Sequence, residues 1–128
     1  MILMRLPTES TRNKGAAAEN AALHFLEKQG YQLNCRNFRI KEGEIDLIMV
    51  HPEEDCLVFI EVKSGNMAFF PGYLEGINRR KCAKIAKVAS VFIENLDREY
   101  AAYRIDAVFV ERGTKQEFHH LKNVYCMA

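Results

Sequence analysis

Residues 42–63, EGEIDLIMVHPEEDCLVFIEVK, set two apolar runs on either side of the polar linker HPEED. Runs of this length, rich in valine, isoleucine, leucine and phenylalanine and parted by turn-forming residues, fold as adjacent antiparallel strands. Both also carry charge where a core should have none. Asp46 lies inside IDLIMV, and Glu61 and Lys63 interrupt the end of LVFIEVK. Charged side chains are rarely fully buried unless paired or bound to a metal, so these three mark a candidate site.

The flanking sequence alternates helix and strand patterns. KGAAAENAALHFLEKQ, from Lys14 to Gln29, is rich in helix formers, and Gly30 stands where a helix-ending residue belongs. Ala18, Ala22, Phe25 and Leu26 form its apolar stripe, and Glu19 falls at the edge of that inward surface. Tyr31, Leu33, Cys35, Phe38 and Ile40 read as a first extended arm that turns at Lys41, Glu42 and Gly43. Ile45–Val50 and Leu57–Lys63 then complete an antiparallel meander of three strands. Residues 64–77, with three glycines and a proline, read as a loop. RRKCAKIAKVASVFIENL follows as an amphipathic helix with Cys82, Ile85, Ala86, Ala89, Phe92 and Ile93 inward. Tyr103–Val110 is a fourth strand and Phe118–Tyr125 a weaker fifth. The expected class is α/β, a mixed sheet flanked by helices in the order α-β-β-β-α-β-β.

A chain of 128 residues, 48% of them hydrophobic, supports one core and not two. We expect a single domain over residues 14–128 behind a flexible N-terminal arm, residues 1–13. The opening MILMRLPTESTR is too short in apolar residues for a secretion signal, and no apolar run approaches membrane-spanning length. Four cysteines without a CxxC pair indicate neither a disulfide framework nor a zinc site. A cytoplasmic protein with reduced thiols is expected.

A net charge of +1 does not by itself announce a nucleic-acid binder. Distribution matters more than the sum. Arg79, Arg80, Lys81, Lys84 and Lys87 crowd the start of the second helix, and Arg80, Lys84 and Lys87 recur at helical spacing, where they can follow a phosphate backbone. A solvated charged face is the competing explanation.

Side chains two apart on a strand share a face, so Glu61 and Lys63 point the same way, with Leu57 and Phe59 before them. In ordinary hairpin register Asp46 converges on Glu61. Two convergent carboxylates repel, and a divalent cation relieves them; hard oxygen ligands with room for water suit magnesium or manganese. Lys63 then stands beside the metal, where an ammonium can position a water or help neutralise a phosphate. Metal-dependent phosphodiester hydrolysis needs this combination.

Asp46, Glu61 and Lys63 resemble the D-x(n)-E-x-K core of the PD-(D/E)XK nuclease superfamily, whose restriction-endonuclease-like fold shares the element order above. The helix GAAAENAALHFLEKQGY, then CRNFR, GEIDLI, LVFIEVK, a lysine-bearing helix and YRIDAVFV resemble, in order, the segments of the bacterial YraN family within it. The resemblance covers roughly residues 14–110. It implies that Asp46 and Glu61 are metal ligands, with the backbone carbonyl of Val62 completing the set. It further implies that Lys63 is the catalytic lysine and that Glu19 is an additional acidic residue near the metal. DNA, including branched or damaged forms, is the implied substrate, and magnesium the implied cofactor, with manganese as a substitute. The family pattern usually carries an arginine shortly after the lysine, where this chain has KSGN. That departure favours the alternative, a nucleic-acid-binding or protein-interaction module that keeps the fold without turnover.

Other features read as structural. Arg104 and Asp106 share one strand face, where they pair with each other or support the site. Phe69, Phe70 and Tyr73 cover a core edge, stack on bases or make a dimer contact. His119 and His120 lack acidic companions at ligand spacing along the chain and read as incidental. One small domain faces a duplex narrowly, so cutting both strands would call for a homodimer.

Overall fold

A computed structural model of the chain describes residues 9–66, 79–113 and 115–125. Its elements are α1 (Glu9–Glu27), β1 (Gln32–Ile40), β2 (Gly43–His51), β3 (Cys56–Gly65), α2 (Arg79–Glu94), β4 (Ala102–Glu111) and β5 (Glu117–Tyr125). They build the expected α-β-β-β-α-β-β order around a five-stranded sheet, β1-β2-β3-β4-β5. The first three strands form the antiparallel meander, β4 runs parallel to β3, and β5 returns antiparallel to β4. The parallel step follows from the chain path, because a strand reached through a crossover helix re-enters the sheet in the same direction.

α1 begins at Glu9, ahead of the expected start at Lys14, so residues 9–13 of the expected arm are helical. Residues 1–8 lie outside the described residues. At its other end α1 closes as the sequence foretold. Gly30 adopts φ 94°, its N–H donates to the Glu27 carbonyl at 3.0 Å, and the Tyr31 N–H donates to the Leu26 carbonyl at 3.1 Å. This double closure satisfies carbonyls left open at a helix end, and only glycine takes that conformation at little cost. It also turns Tyr31 back into the core beside Leu26.

The two helices cover opposite faces. Cys56, Val58, Ile60 and Val62 of β3 pack with Ala18, Ala22 and Leu26 of α1, while Leu57 and Phe59 pack with Ile85, Val88 and Ala89 of α2. β3 is therefore buried on both sides, as a central strand must be. Fully burying side chains such as Phe59 or Ile60 contributes roughly 1.5–3 kcal/mol each. Val88, absent from the expected inward set, is fully buried, and beside it Gly43 approaches so closely that a Cβ there would meet Val88 Cγ2 at 3.3 Å. Cys35, Cys56 and Cys82 are free thiols, and Cys126 lies outside the described residues. No helix among the described residues is long and apolar enough to cross a membrane.

Candidate active site

The site grows from a place where paired strands part. Among the described residues the β2–β3 pairing ends at Leu47↔Ile60. One more step of the same register would set Asp46 opposite Glu61. Instead Asp46 Oδ2 accepts the Val62 N–H at 2.7 Å, replacing the backbone acceptor that β2 no longer offers. The Asp46 carboxyl is thereby held in the gap between the strands.

Strand alternation changes phase at the same point. Leu47 packs on the α1 side and Ile45 on the α2 side, although two residues apart on one strand. β1 does the same across the ladder. Arg36 reaches Glu19 of α1, Phe38 packs toward α2, and between them Asn37 takes a left-handed φ of 52°. Asparagine tolerates that conformation better than most residues. The matched phase change lets acidic groups of α1, β1–β2 and β3 gather around Asp46.

Glu61 and Lys63 share the α2 side of β3, as their spacing requires. Lys63 Nζ lies 3.3 Å from Glu61 Oε1, and Lys81 Nζ of α2 lies 2.9 Å from the same oxygen. Burial pulls the Lys81 ammonium down, but its hydrogen bond and ion pair with Glu61 outweigh it and leave its pKa above the ordinary lysine value. Lys81 is the site residue that sequence reasoning missed, having been counted only within the basic cluster. A signal existed: Lys81 stands four and seven positions before Ile85 and Val88, on the helix face that turns inward.

Glu19 sits on the other side of the gap. Its carboxylate lies 3.6 Å from the Arg36 guanidinium. With the Asn37 amide turned so that both its ends are satisfied, its NH₂ donates to Glu19 at 3.1 and 3.3 Å and to Glu44 at 3.1 Å. Burial raises the Glu19 pKa, and the Arg36 charge and the Asn37 bond pull it back without cancelling the rise. Glu44 is in turn held by Arg39 at 2.6 Å.

Among the described residues no cation forms an ion pair with Asp46, although the Lys81 ammonium lies within electrostatic reach. Burial, then repulsion from Glu61, push its pKa to about 7 against the pull of the Val62 bond, with Glu19 and Glu44 adding to the rise. A carboxylate that burial and acidic neighbours disfavour as an anion is one that a hard divalent cation would relieve. The donor set agrees: Asp46 and Glu61 supply carboxylate oxygens, and Val62 follows Glu61 along β3 with its N–H on Asp46. Of the expected nucleic-acid contacts, Arg80, Lys84 and Lys87 are all exposed on α2. Lys84 also lines a cleft of about 170 Å³ with Glu61, Lys81, Ile85 and Val88 on one side and Glu42, Gly43 and Glu44 on the other. Phe69, Phe70 and Tyr73 lie outside the described residues.

A second polar cluster occupies the α1 face. Asp106, fully buried, accepts from Arg104 at 2.8 and 3.0 Å and from the Asn123 N–H at 2.9 Å, and lies 2.7 Å from His120 Nε2. Arg104 also donates to the Tyr31 hydroxyl at 2.7 Å. Glu61 is level with Ala107, not Asp106, so this carboxylate points away from the Glu61 face. Arg104 and Asp106 pair with each other. The histidines are not incidental, since His119 Nε2 lies 2.9 Å from Glu111, with Glu117 close by. Glu111 and Asp106 come from the neighbouring strand β4, where chain spacing does not show them, while Glu117 lies on β5 itself, two positions before His119.

Comparison with known proteins places these features in a family. Residues 18–110 match the model of the uncharacterised protein family UPF0102. A UPF0102 protein of Psychromonas ingrahamii is 38% identical over 110 residues, covering 84% of this chain and 88% of the relative. One of Cupriavidus metallidurans is 39% identical over 107 residues, covering 84% and 78%. Among solved structures, Pyrococcus furiosus SfsA in complex with Ca2+ is a distant likeness at 16% identity and a TM-score of 0.34, covering 88% of this chain but 63% of that one. The chain belongs to the uncharacterised protein family UPF0102, the YraN family that its ordered motifs resemble.

Proposed function

We propose that this protein is a magnesium-dependent nuclease that hydrolyses phosphodiester bonds in DNA, branched or damaged forms included. The observation that carries the proposal is the Asp46 carboxyl held where β2 and β3 part, within repulsive range of Glu61, with Lys63 on Glu61. Asp46 and Glu61 would hold the ion, with the Val62 carbonyl as a backbone ligand. A divalent ion there supplies Lewis acidity and a water that ionises near neutral pH.

The chain's own groups do the rest. Asp46 is fixed by the Val62 N–H, so its carboxylate is positioned before any ligand arrives. Lys63 brings its ammonium beside Glu61, where negative charge grows as water oxygen bonds to phosphorus and the ester P–O bond breaks. The products are a phosphomonoester and an alcohol. Glu19, across the gap, is held by Arg36 and Asn37 and can accept a proton from the attacking water through an intervening one. Arg80, Lys84 and Lys87 on α2 would meet flanking phosphates, and cutting both strands of a duplex would take a symmetric pair of chains.

One observation favours a second reading, a nucleic-acid-binding or protein-interaction module without turnover. Two ammoniums already neutralise Glu61 with no metal needed. The test is incubation of the protein with supercoiled, single-stranded and four-way-junction DNA, and with RNA, in magnesium or manganese. We expect DNA cleavage that Asp46→Ala and Glu61→Ala abolish. Cleavage unaffected by either substitution excludes this site as its source, and manganese uptake without cleavage favours the binding module.

A further inference from the structure

The Glu61 oxygen bound by Lys63 and Lys81 carries one more cation than a single carboxylate balances. Charge counting shows where the surplus is used. With a divalent ion between Asp46 and Glu61, the carboxylates are neutralised and two positive charges remain. A phosphodiester brings one negative charge, and its transition state toward hydrolysis carries two.

We propose that Lys81 is a second phosphate-binding residue of this site, meeting one non-bridging oxygen of the strand phosphate while Lys63 meets the other. The inference rests on the hydrolytic reading, in which Glu61 gives its charge to the ion and loosens its hold on both amines. Two amines gathered on one oxygen atom are close enough together to serve one phosphate. Lys81 is also placed for the task by its element. α2 sets it at the head of the face that carries Ile85 and Val88, so its stem is backed by the core while its charge enters the cleft. Lys84 lines the same cleft and extends the cationic run along α2.

The test compares Lys81→Met, which keeps the stem and removes the charge, with Lys81→Arg, which keeps the charge. For Lys81→Met we expect kcat on the cleaved DNA to fall about 100-fold, the size of losing one transition-state contact, with manganese affinity by calorimetry unchanged. Lys81→Arg recovers to within about 10-fold. Wild-type cleavage by Lys81→Met overturns the inference, and so does a matching loss of manganese affinity, which makes Lys81 a prop for Glu61. Should wild type cleave nothing, the hydrolytic reading fails separately. Fluorescence anisotropy of a DNA strand in calcium then decides. Binding weakened by Lys81→Met, with a salt slope smaller by about one, sustains the phosphate contact, and unchanged binding overturns it.

Discussion

Asp46 and Asp106 are both carboxylates set into the sheet, and they are held in opposite ways. Asp106 is surrounded by donors on every side. Burial alone would raise its pKa, but His120, Arg104 and the Asn123 N–H overrule it and hold the group below the ordinary carboxylate range. Among the described residues Asp46 has one backbone donor, three acidic neighbours and the Lys81 ammonium within electrostatic reach, and it is pushed up to about 7. A satisfied buried charge belongs to the architecture. An unsatisfied one is a candidate for function, and the proposed ion would relieve it.

The largest effect should come from breaking the satisfied member. Asp106→Ala leaves the largely buried Arg104 guanidinium with only Glu54 and the Tyr31 hydroxyl and takes the partner from His120, and we expect a loss of about 3 kcal/mol in urea denaturation at pH 7. The contrast collapses if the loss is under about 1 kcal/mol. Because the Asp106 pKa is depressed on folding, its contribution is present above the ordinary carboxylate pKa and disappears as acid protonates it.

Asp46 should show the reverse slope. Its folded pKa of about 7 lies above the ordinary 3.8, so the native state holds a proton that the unfolded chain has released. Stability therefore falls as pH rises between those values and is lowest above pH 7, by up to about 4 kcal/mol, less whatever water at the gap screens. Asp46→Asn should flatten this slope and, at pH 8 without metal, unfold at a higher urea concentration than wild type. Manganese at 100 times its Kd should restore about 2.7 kcal/mol to wild type at that pH and nothing to Asp46→Asn. Equal slopes in the two proteins would remove Asp46 from the list of strained groups. The smallest change, Tyr31→Phe, deletes one of Arg104's acceptors and should cost about 1 kcal/mol, refining how evenly the Asp106 cluster shares its bonds.

Much of this was legible in the chain itself. The hairpin, the pairing of Glu61 with Lys63 and the helix stop at Gly30 all follow from local periodicity and from glycine's reach into left-handed backbone. What escaped notice was non-local. Tyr31 and Arg104 meet across 73 positions, His120 and Asp106 across 14, and no spacing rule connects them. The halt of the β2–β3 ladder one step before Asp46 was equally hidden, since an uninterrupted hairpin would have the same residue pattern. Lys81 lay between these cases. Its helical phase with Ile85 and Val88 was visible, but its meeting with Glu61 required knowing that α2 covers the Glu61 face of β3.

The bare Cα at Gly43 has a mechanical implication. It sits on one wall of the cleft and Val88 on the other, with room for hydrogen and not for a methyl group unless something gives by a few tenths of an ångström. A single added carbon would act as a shim, pressing the hairpin tip and the helix apart by a few tenths of an ångström beside Glu61 while deleting no ionic group.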